Sequence, residues 1–254
     1  MKSTLKGQEP NELQVYAAAN PTQTWEKFRR NVARRKAVQR QLTIDQSGIC
    51  AYCEINLKAA DSTGVADFRV EHFHPKSDNS TPKNWHLDWQ NLLAVCHGGS
   101  RADVVEATTR FTALHSCDVP KGENNWDAVI LNPLGLTSDL CFFKFDRSTG
   151  EIRVNKESCI LAAVCDIKAQ ATIDNLQLDS PRLRKLRKPA LDKLSDQLTA
   201  LVENGRSLEE ARRYLASTFL VKDGNNHWPA FFSAIRDNLG RHAEIHLKNT
   251  GYIG

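Results

Sequence analysis

The sequence predicts an α+β protein in which a short central region of strands lies between helical flanks. Residues 11–46 and 156–240 carry apolar side chains at helical spacing. Between Cys50 and Lys121, short apolar runs end in or begin with polar, chemistry-bearing side chains, as in Val70-Glu71-His72 and Asn91-Leu92-Leu93-Ala94-Val95-Cys96. Farther on, Leu140-Cys141-Phe142-Phe143-Lys144-Phe145-Asp146 and Glu151-Ile152-Arg153-Val154 flank Arg147-Ser148-Thr149-Gly150, a hairpin pattern.

Taken in order, the first helical segment has a start signal at Pro21-Thr22, and Trp25, Phe28 and Val32 fall on one face. The other face is basic, with Lys27, Arg29, Arg30, Arg34, Arg35, Lys36 and Arg40 against the single acid Glu26. That face is either solvated or a strip that follows a phosphate backbone. Gly48 ends the segment and delivers the chain to Cys50. After the hairpin, helical breaks are expected near Pro181, Pro189, Asn204-Gly205 and Asp223-Gly224, with Leu183, Leu186, Leu191, Leu194 and Leu198 on packing faces. The cluster Arg182, Arg184, Lys185, Arg187 and Lys188 reads as solvated surface in preference to a nucleic-acid contact. Cys141, Cys159 and Cys165 have no close cysteine partner and read as buried free thiols. The expected division is a helical segment over 1–46, a central unit over 47–125, and a hairpin-plus-helices region over 126–254.

Composition narrows the function classes. The 254 residues are 41% hydrophobic and 25% charged, ordinary for a globular chain. A formal charge of +4 means that any nucleic-acid affinity must come from local patches. No apolar run reaches the roughly 20 residues that span a bilayer, so no membrane association is expected. Residues 1–7 lack a signal-peptide pattern, and the expected location is cytoplasmic. Seven cysteines in a reducing compartment argue for metal ligands and buried thiols over disulfides. The chain has no Gly-x-x-x-x-Gly-Lys-Ser/Thr loop, so any nucleotide dependence would come from another subunit.

Four features of Cys50–Lys121 form a constellation: Cys50-Ala51-Tyr52-Cys53, Glu71-His72 within Val70-Glu71-His72-Phe73-His74-Pro75-Lys76-Ser77, Asn91 ahead of Cys96, and Cys117-Asp118-Val119-Pro120-Lys121. Hydrolysis of a phosphodiester needs an activated water and a cation on the phosphate and leaving oxygen. A neutral histidine can take the proton at ordinary pH. Glu71-His72 taken alone reads as a surface ion pair; its bracketing by the other three features favours a catalytic role. His74 faces either phosphate or solvent.

This constellation resembles the HNH nucleases of the ββα-metal type. The resemblance implies His72 as general base, Glu71 as metal ligand, Asn91 as the residue orienting the base, Asp118 as the ligand on the following helix, and Lys121 as the lysine after it. Two departures stand out: Glu71 replaces the usual Asp, and Asp118 the usual Asn or His. Both remain oxygen ligands suited to Mg²⁺ or Mn²⁺. Lys76, Lys121, Arg29 and Arg34 are the candidate nucleic-acid contacts.

Many members of this superfamily staple the small unit with zinc bound by two cysteine pairs. The resemblance therefore implies Zn²⁺ on Cys50, Cys53, Cys96 and Cys117, although the last two are separated by what reads as an insertion from His97 to Ser116. His97 and His115 stand as alternatives for one ligand. Residues 20–190 further resemble the HNH component of the Septu antiphage system, the PtuB family, which also occurs as a retron effector. Thr24-Trp25-Glu26-Lys27-Phe28, Ile130-Leu131-Asn132-Pro133-Leu134 and Ile173-Asp174-Asn175-Leu176-Gln177-Leu178 extend the match. That implies a PtuA-like ATPase partner. DNA is the favoured substrate, with RNA, including tRNA, as the alternative; a zinc-stabilised binding or interaction subunit is the non-enzymatic reading.

Overall fold

Helices dominate this α+β chain, and two small antiparallel sheets sit among them. The computed structural model describes residues 1–59, 66–101 and 115–254. Most of the expected insertion between His97 and Ser116 lies outside the described residues.

The N-terminal segment is three helices, α1 (Asn11–Ala19), α2 (Trp25–Phe28) and α3 (Val32–Asp45), where one is expected from the sequence. Caps explain the division. The Thr24 hydroxyl accepts from the Lys27 amide at 3.3 Å, so the start lies at Thr24 and not at Pro21-Thr22. The Asn31 side chain accepts from the Arg34 amide at 3.1 Å and opens α3. This interruption turns the apolar face: Trp25 and Phe28 are buried, but Val32 is 48% exposed. Gly48 ends the segment with φ +75, where a Cβ would meet the His227 ring at 2.3 Å, so only glycine suits the position.

Strands β1 (Arg69–His72) and β2 (Leu92–Val95) pair antiparallel, with Glu71 opposite Leu93 and His72 opposite Leu92. All of β2 is buried, which is why its residues are apolar without alternation. Its outer edge is closed from the end of α3: the Gln46 side-chain amide accepts from the Ala94 N–H and donates to the Ala94 carbonyl, both at 2.7 Å. Covering β2 at Ala94 in this way takes up backbone groups that another chain could otherwise pair with. The short helix α4 (Asp118–Lys121) follows Cys117. The expected hairpin is present as β3 (Phe143–Phe145) and β4 (Ile152–Val154). Its turn is fixed by Asp146, which accepts from the Ser148 and Thr149 amides at 2.9 and 2.8 Å, the usual service of an aspartate in a turn.

The C-terminal helices are α5 (Lys156–Leu161), α6 (Asp166–Asn175), α7 (Pro181–Glu203), α8 (Leu208–Phe219), α9 (Phe232–Leu239) and α10 (Arg241–Asn249). Breaks occur at Asn204-Gly205 and Asp223-Gly224, but the two prolines behave otherwise. Pro181 opens α7 behind the Ser180 cap, and Pro189 lies within that helix. Pro189 sits away from the core, while Leu183, Leu191 and Leu194 hold the opposite face in it. One apolar core runs from Leu13 and Trp25 through β2 to Leu183 and Leu191, and a second joins Ile49 to Leu194, Leu215 and Phe232.

The basic cluster of α7 is corrected, because Arg182 and Arg187 are buried. Arg187 donates to the carbonyls of Gly150 and Leu178, and its guanidinium lies over the rings of Phe145 and Phe231. The helix turn expected as solvated surface thus docks the hairpin. Cys159 is buried and Cys141 half-buried, as free thiols, whereas Cys165 is exposed.

Candidate active site

Strand β1 carries Glu71 and His72 in adjacent positions, and their side chains contact different neighbours, as strand alternation requires. His72 is 6% exposed. Its Nε2 lies 3.1 Å from the carbonyl of His86, and its ring meets Trp25 edge-on at 5.6 Å. A carbonyl only accepts, so Nε2 carries the hydrogen and Nδ1 keeps the lone pair. Burial lowers the His72 pKa to about 3 and keeps the ring a free base.

Glu71 faces α4. Lys121, fully buried, places Nζ 3.0 Å from Glu71 Oε1 and donates to the His72 carbonyl at 3.1 Å. The approach to Oε1 has ion-pair distance without hydrogen-bond geometry, and that oxygen remains unsatisfied. Asp118 is similar: Oδ2 accepts from Arg69 Nε at 2.5 Å, while Oδ1 is buried without a partner. Burial raises Glu71 to about 7, with Lys121 opposing and the Asp118 charge adding to it. Burial likewise raises Asp118 to about 6, against the pull of Arg69. Two neighbouring buried carboxylates, Asp118 with a partnerless Oδ1 and Glu71 with an Oε1 met only by the Lys121 ammonium, are hard oxygen donors of the kind a divalent cation takes.

Asn91 ends a turn capped by Asp88 and holds backbone rather than the His72 ring. Its Oδ1 accepts from the His74 amide at 2.7 Å, and its Nδ2 donates to the carbonyls of His74 and Trp85 at 2.9 and 3.1 Å. The next residue, His86, supplies the carbonyl that anchors His72. Asn91 therefore bears on the histidine through the Trp85-His86 peptide. His74 is buried, with Nδ1 2.6 Å from Asp127 and Nε2 2.7 Å from Asp78.

The four cysteines converge behind this layer. Cys50, Cys53, Cys96 and Cys117 are buried and their sulfurs lie within 4.8 Å of one another, which makes a group able to hold a metal ion. Three of the separations are 3.9, 3.6 and 3.5 Å. A tetrahedron with metal–sulfur bonds of ~2.3 Å has an edge of roughly 3.8 Å, so the spacing fits. Burial pushes the Cys50 thiol up, but donation from Cys117, Cys53 and Cys96 outweighs it and holds Cys50 well below the ordinary thiol value. Donation to Cys117, Cys50 and Cys53 leaves Cys96 well above it, and burial does the same for Cys117. Such packing favours one thiolate at a time, and a soft cation would favour all four. Cys117 has φ 62, a strained position for a residue with a side chain. Its N–H donates to the Leu176 carbonyl at 2.9 Å, so the C-terminal region holds this strained corner. His97 pairs with Asp67 at 2.9 Å and His115 is exposed; neither belongs to the sulfur group.

The expected nucleic-acid contacts divide. Lys121 is corrected: a fully buried ammonium between Glu71 and the His72 carbonyl is an internal counter-charge. Lys76 is tied to Glu26 at 2.7 Å. Arg34 lies over the Tyr16 ring at 4.2 Å, and Arg29 is exposed. Sequence reasoning missed Arg69 and the carbonyl of His86. Arg69 has a signal, since residues two apart on a strand share a face, which puts it beside Glu71. The His86 carbonyl has none, because a backbone group carries no residue identity.

Among the described residues no helix is long and apolar enough to cross a membrane. No protein-family model matches the chain. A curated Escherichia coli protein named "Retron Ec83 putative HNH endonuclease" is 33% identical over 267 aligned residues, covering 96% of this chain and 96% of that protein.

Proposed function

The chain belongs to the HNH endonucleases, enzymes that hydrolyse phosphodiester bonds, and from this premise we propose that β1, β2 and α4 form a ββα-metal unit that cuts nucleic acid, DNA before RNA. The observation that carries the reading is the pair of buried carboxylates, Glu71 held only by the Lys121 ammonium and Asp118 with a partnerless Oδ1, beside a histidine anchored by one ring nitrogen. Glu71 and Asp118 would hold Mg²⁺ or Mn²⁺, which supplies positive charge at the scissile phosphate and leaving oxygen. His72 takes the proton of the attacking water at Nδ1. Asn91 and the His86 carbonyl keep that nitrogen aimed, and Lys121 balances Glu71 until a cation does so.

The cysteine group is proposed as a structural Zn²⁺ site. It ties Cys50 and Cys53, ahead of β1, to Cys96 at the end of β2 and Cys117 at the start of α4. A unit whose two strands are this short has little core of its own, and a metal clamp supplies what apolar burial does not.

The setting we infer is antiphage defence of the retron or Septu type, with a PtuA-like ATPase as partner. DNA is proposed on the resemblance to the superfamily. On α5 and α6, Ile160 is 78% exposed, Leu161 76% and Ile167 76%. Three apolar side chains this exposed on consecutive helices support a protein contact there. The deciding experiment incubates the purified chain, alone and with a PtuA-like ATPase, with DNA and RNA plus Mg²⁺ or Mn²⁺. Cleavage of DNA that His72→Ala abolishes is expected; cleavage of neither polymer under any condition rejects the reading.

A further inference from the structure

His74 lies two residues beyond the proposed base and is held on every polar atom. Each ring nitrogen sits within hydrogen-bond distance of a carboxylate, Nδ1 at 2.6 Å from Asp127 and Nε2 at 2.7 Å from Asp78. The ring lies against the Trp85 indole with centroids 3.9 Å apart. Both backbone polar groups of His74 are taken by the Asn91 side chain at 2.7 and 2.9 Å, and the same amide donates to the Trp85 carbonyl at 3.1 Å. Lys168 Nζ donates to the Asp127 carbonyl at 2.6 Å, which ties that acid to α6.

These bonds meet at one place. Trp85 is followed by His86, whose carbonyl is the acceptor of His72 Nε2. The orientation of His72 thus depends on where the Trp85-His86 peptide sits. That peptide is located by the stacked His74 ring and by Asn91. An apolar ring would stack on Trp85 equally well; a histidine ring set between two acceptor-only carboxylates donates to both when each nitrogen carries a hydrogen, and those two directional bonds stop it sliding or turning. With every polar atom of His74 itself partnered, the ring and its backbone fix one arrangement of the chain around them.

We propose that His74, clamped between Asp78 and Asp127, is a positioning residue that acts through Trp85 and the His86 carbonyl to hold His72 in its Nε2–H tautomer with Nδ1 presented to water. The proposal rests on the nuclease reading for its kinetic consequence, but its structural consequence can be read without cleavage.

The experiment uses the full chain as wild type, His74→Ala and Asp127→Asn, the last a near-isosteric change at a partly exposed acid that keeps the fold accessible if the alanine variant does not fold. Histidine ¹⁵N-labelled protein reports the His72 tautomer, its signal assigned by loss in His72→Ala, and plasmid cleavage with Mg²⁺ reports rate. Expected are a His72 signal that changes from one tautomer to an average, and a kcat lower by about 10- to 100-fold, the usual effect of losing an orienting partner, at unchanged KM. An unchanged His72 signal overturns the proposal whatever the rate does, because His74 would then act elsewhere. An altered signal with undiminished kcat overturns it too. If the wild type cuts neither DNA nor RNA, alone or with the ATPase, the nuclease reading fails while the tautomer still decides this one.

Discussion

Lys121 donates its buried ammonium to the carbonyl oxygen of His72 at 3.1 Å, so α4 is bonded to the backbone of the residue proposed as general base. The same nitrogen stands 3.0 Å from Glu71 Oε1. A lysine with no exposed surface cannot be a docking charge for a polymer. Its work is to neutralise Glu71 and to fix the distance between β1 and α4.

Lys121→Met should therefore lower stability by about 1–3 kcal/mol, the cost of leaving a buried carbonyl without its donor. It should leave the salt dependence of nucleic-acid binding unchanged. Arg29→Ala, at an exposed position, is expected to do the reverse and reduce the salt slope by about one unit. Urea denaturation and binding titrations at several salt concentrations separate the two, and a Lys121→Met slope lower than wild type would restore a phosphate contact.

His72→Ala should cost roughly 10²–10⁴ in cleavage rate, the usual worth of a positioned base, while the thermal transition is kept. Since burial lowers its pKa to about 3, His72 is a free base throughout the neutral range and should not itself shape the pH–rate profile there. A folded His72→Ala protein that cuts at the wild-type rate removes the assignment.

How much of this is legible in the sequence follows from what the signals consist of. Glu71-His72, Asn91 and Cys117-Asp118 can be picked out because their spacing carries chemistry, and the chain brings Glu71 and Asp118 to one place. The convergence of Cys96 with Cys117 cannot be read from spacing, because closing a chain segment costs only slowly more with its length. Side-chain periodicity predicts one N-terminal helix because it says nothing of the caps at Thr24 and Asn31. Lys121, Arg182 and Arg187 escape sequence reading for a shared reason. A basic residue reads as solvated until the acid or carbonyl that meets it is known, and most of those partners lie far away in sequence.

Glu71 gives a pH prediction with a definite sign. Its folded pKa is about 7 against an ordinary 4.5, so across that window the folded chain holds more protons than the unfolded one. Stability from this group is then present at low pH and is lost as pH rises through the folded value. In protein stripped of divalent cations, Glu71→Gln should gain on the wild type in melting temperature as pH is raised from 4.5 to 7. Adding Mg²⁺ or Mn²⁺ should close that gap by stabilising the wild type alone. A pH-independent difference would mean that Glu71 is not held in a desolvated, cation-seeking state.

The cysteine group gives the last expectation. Purified protein should contain about one zinc per chain, since four buried sulfurs at these separations match one tetrahedral ion. Cys96→Ser and Cys117→Ser should each lose that zinc, and because the ligands join the turn carrying Cys50 and Cys53 to the end of β2 and the start of α4, both variants should also melt earlier than wild type. Gly98→Ala tests the same site without touching a ligand. Gly98 has φ +59, its N–H points to Cys96 Sγ at 3.4 Å, and a Cβ there would meet the Ser116 carbonyl oxygen at 2.2 Å. That oxygen is backbone next to Cys117, so the clash must push two ligands apart. Lower zinc content in Gly98→Ala, measured by elemental analysis, is therefore expected together with a lower melting temperature. Retention of zinc in Cys96→Ser and Cys117→Ser alike would move the site to other ligands, and its absence from unchelated wild type would remove the site altogether.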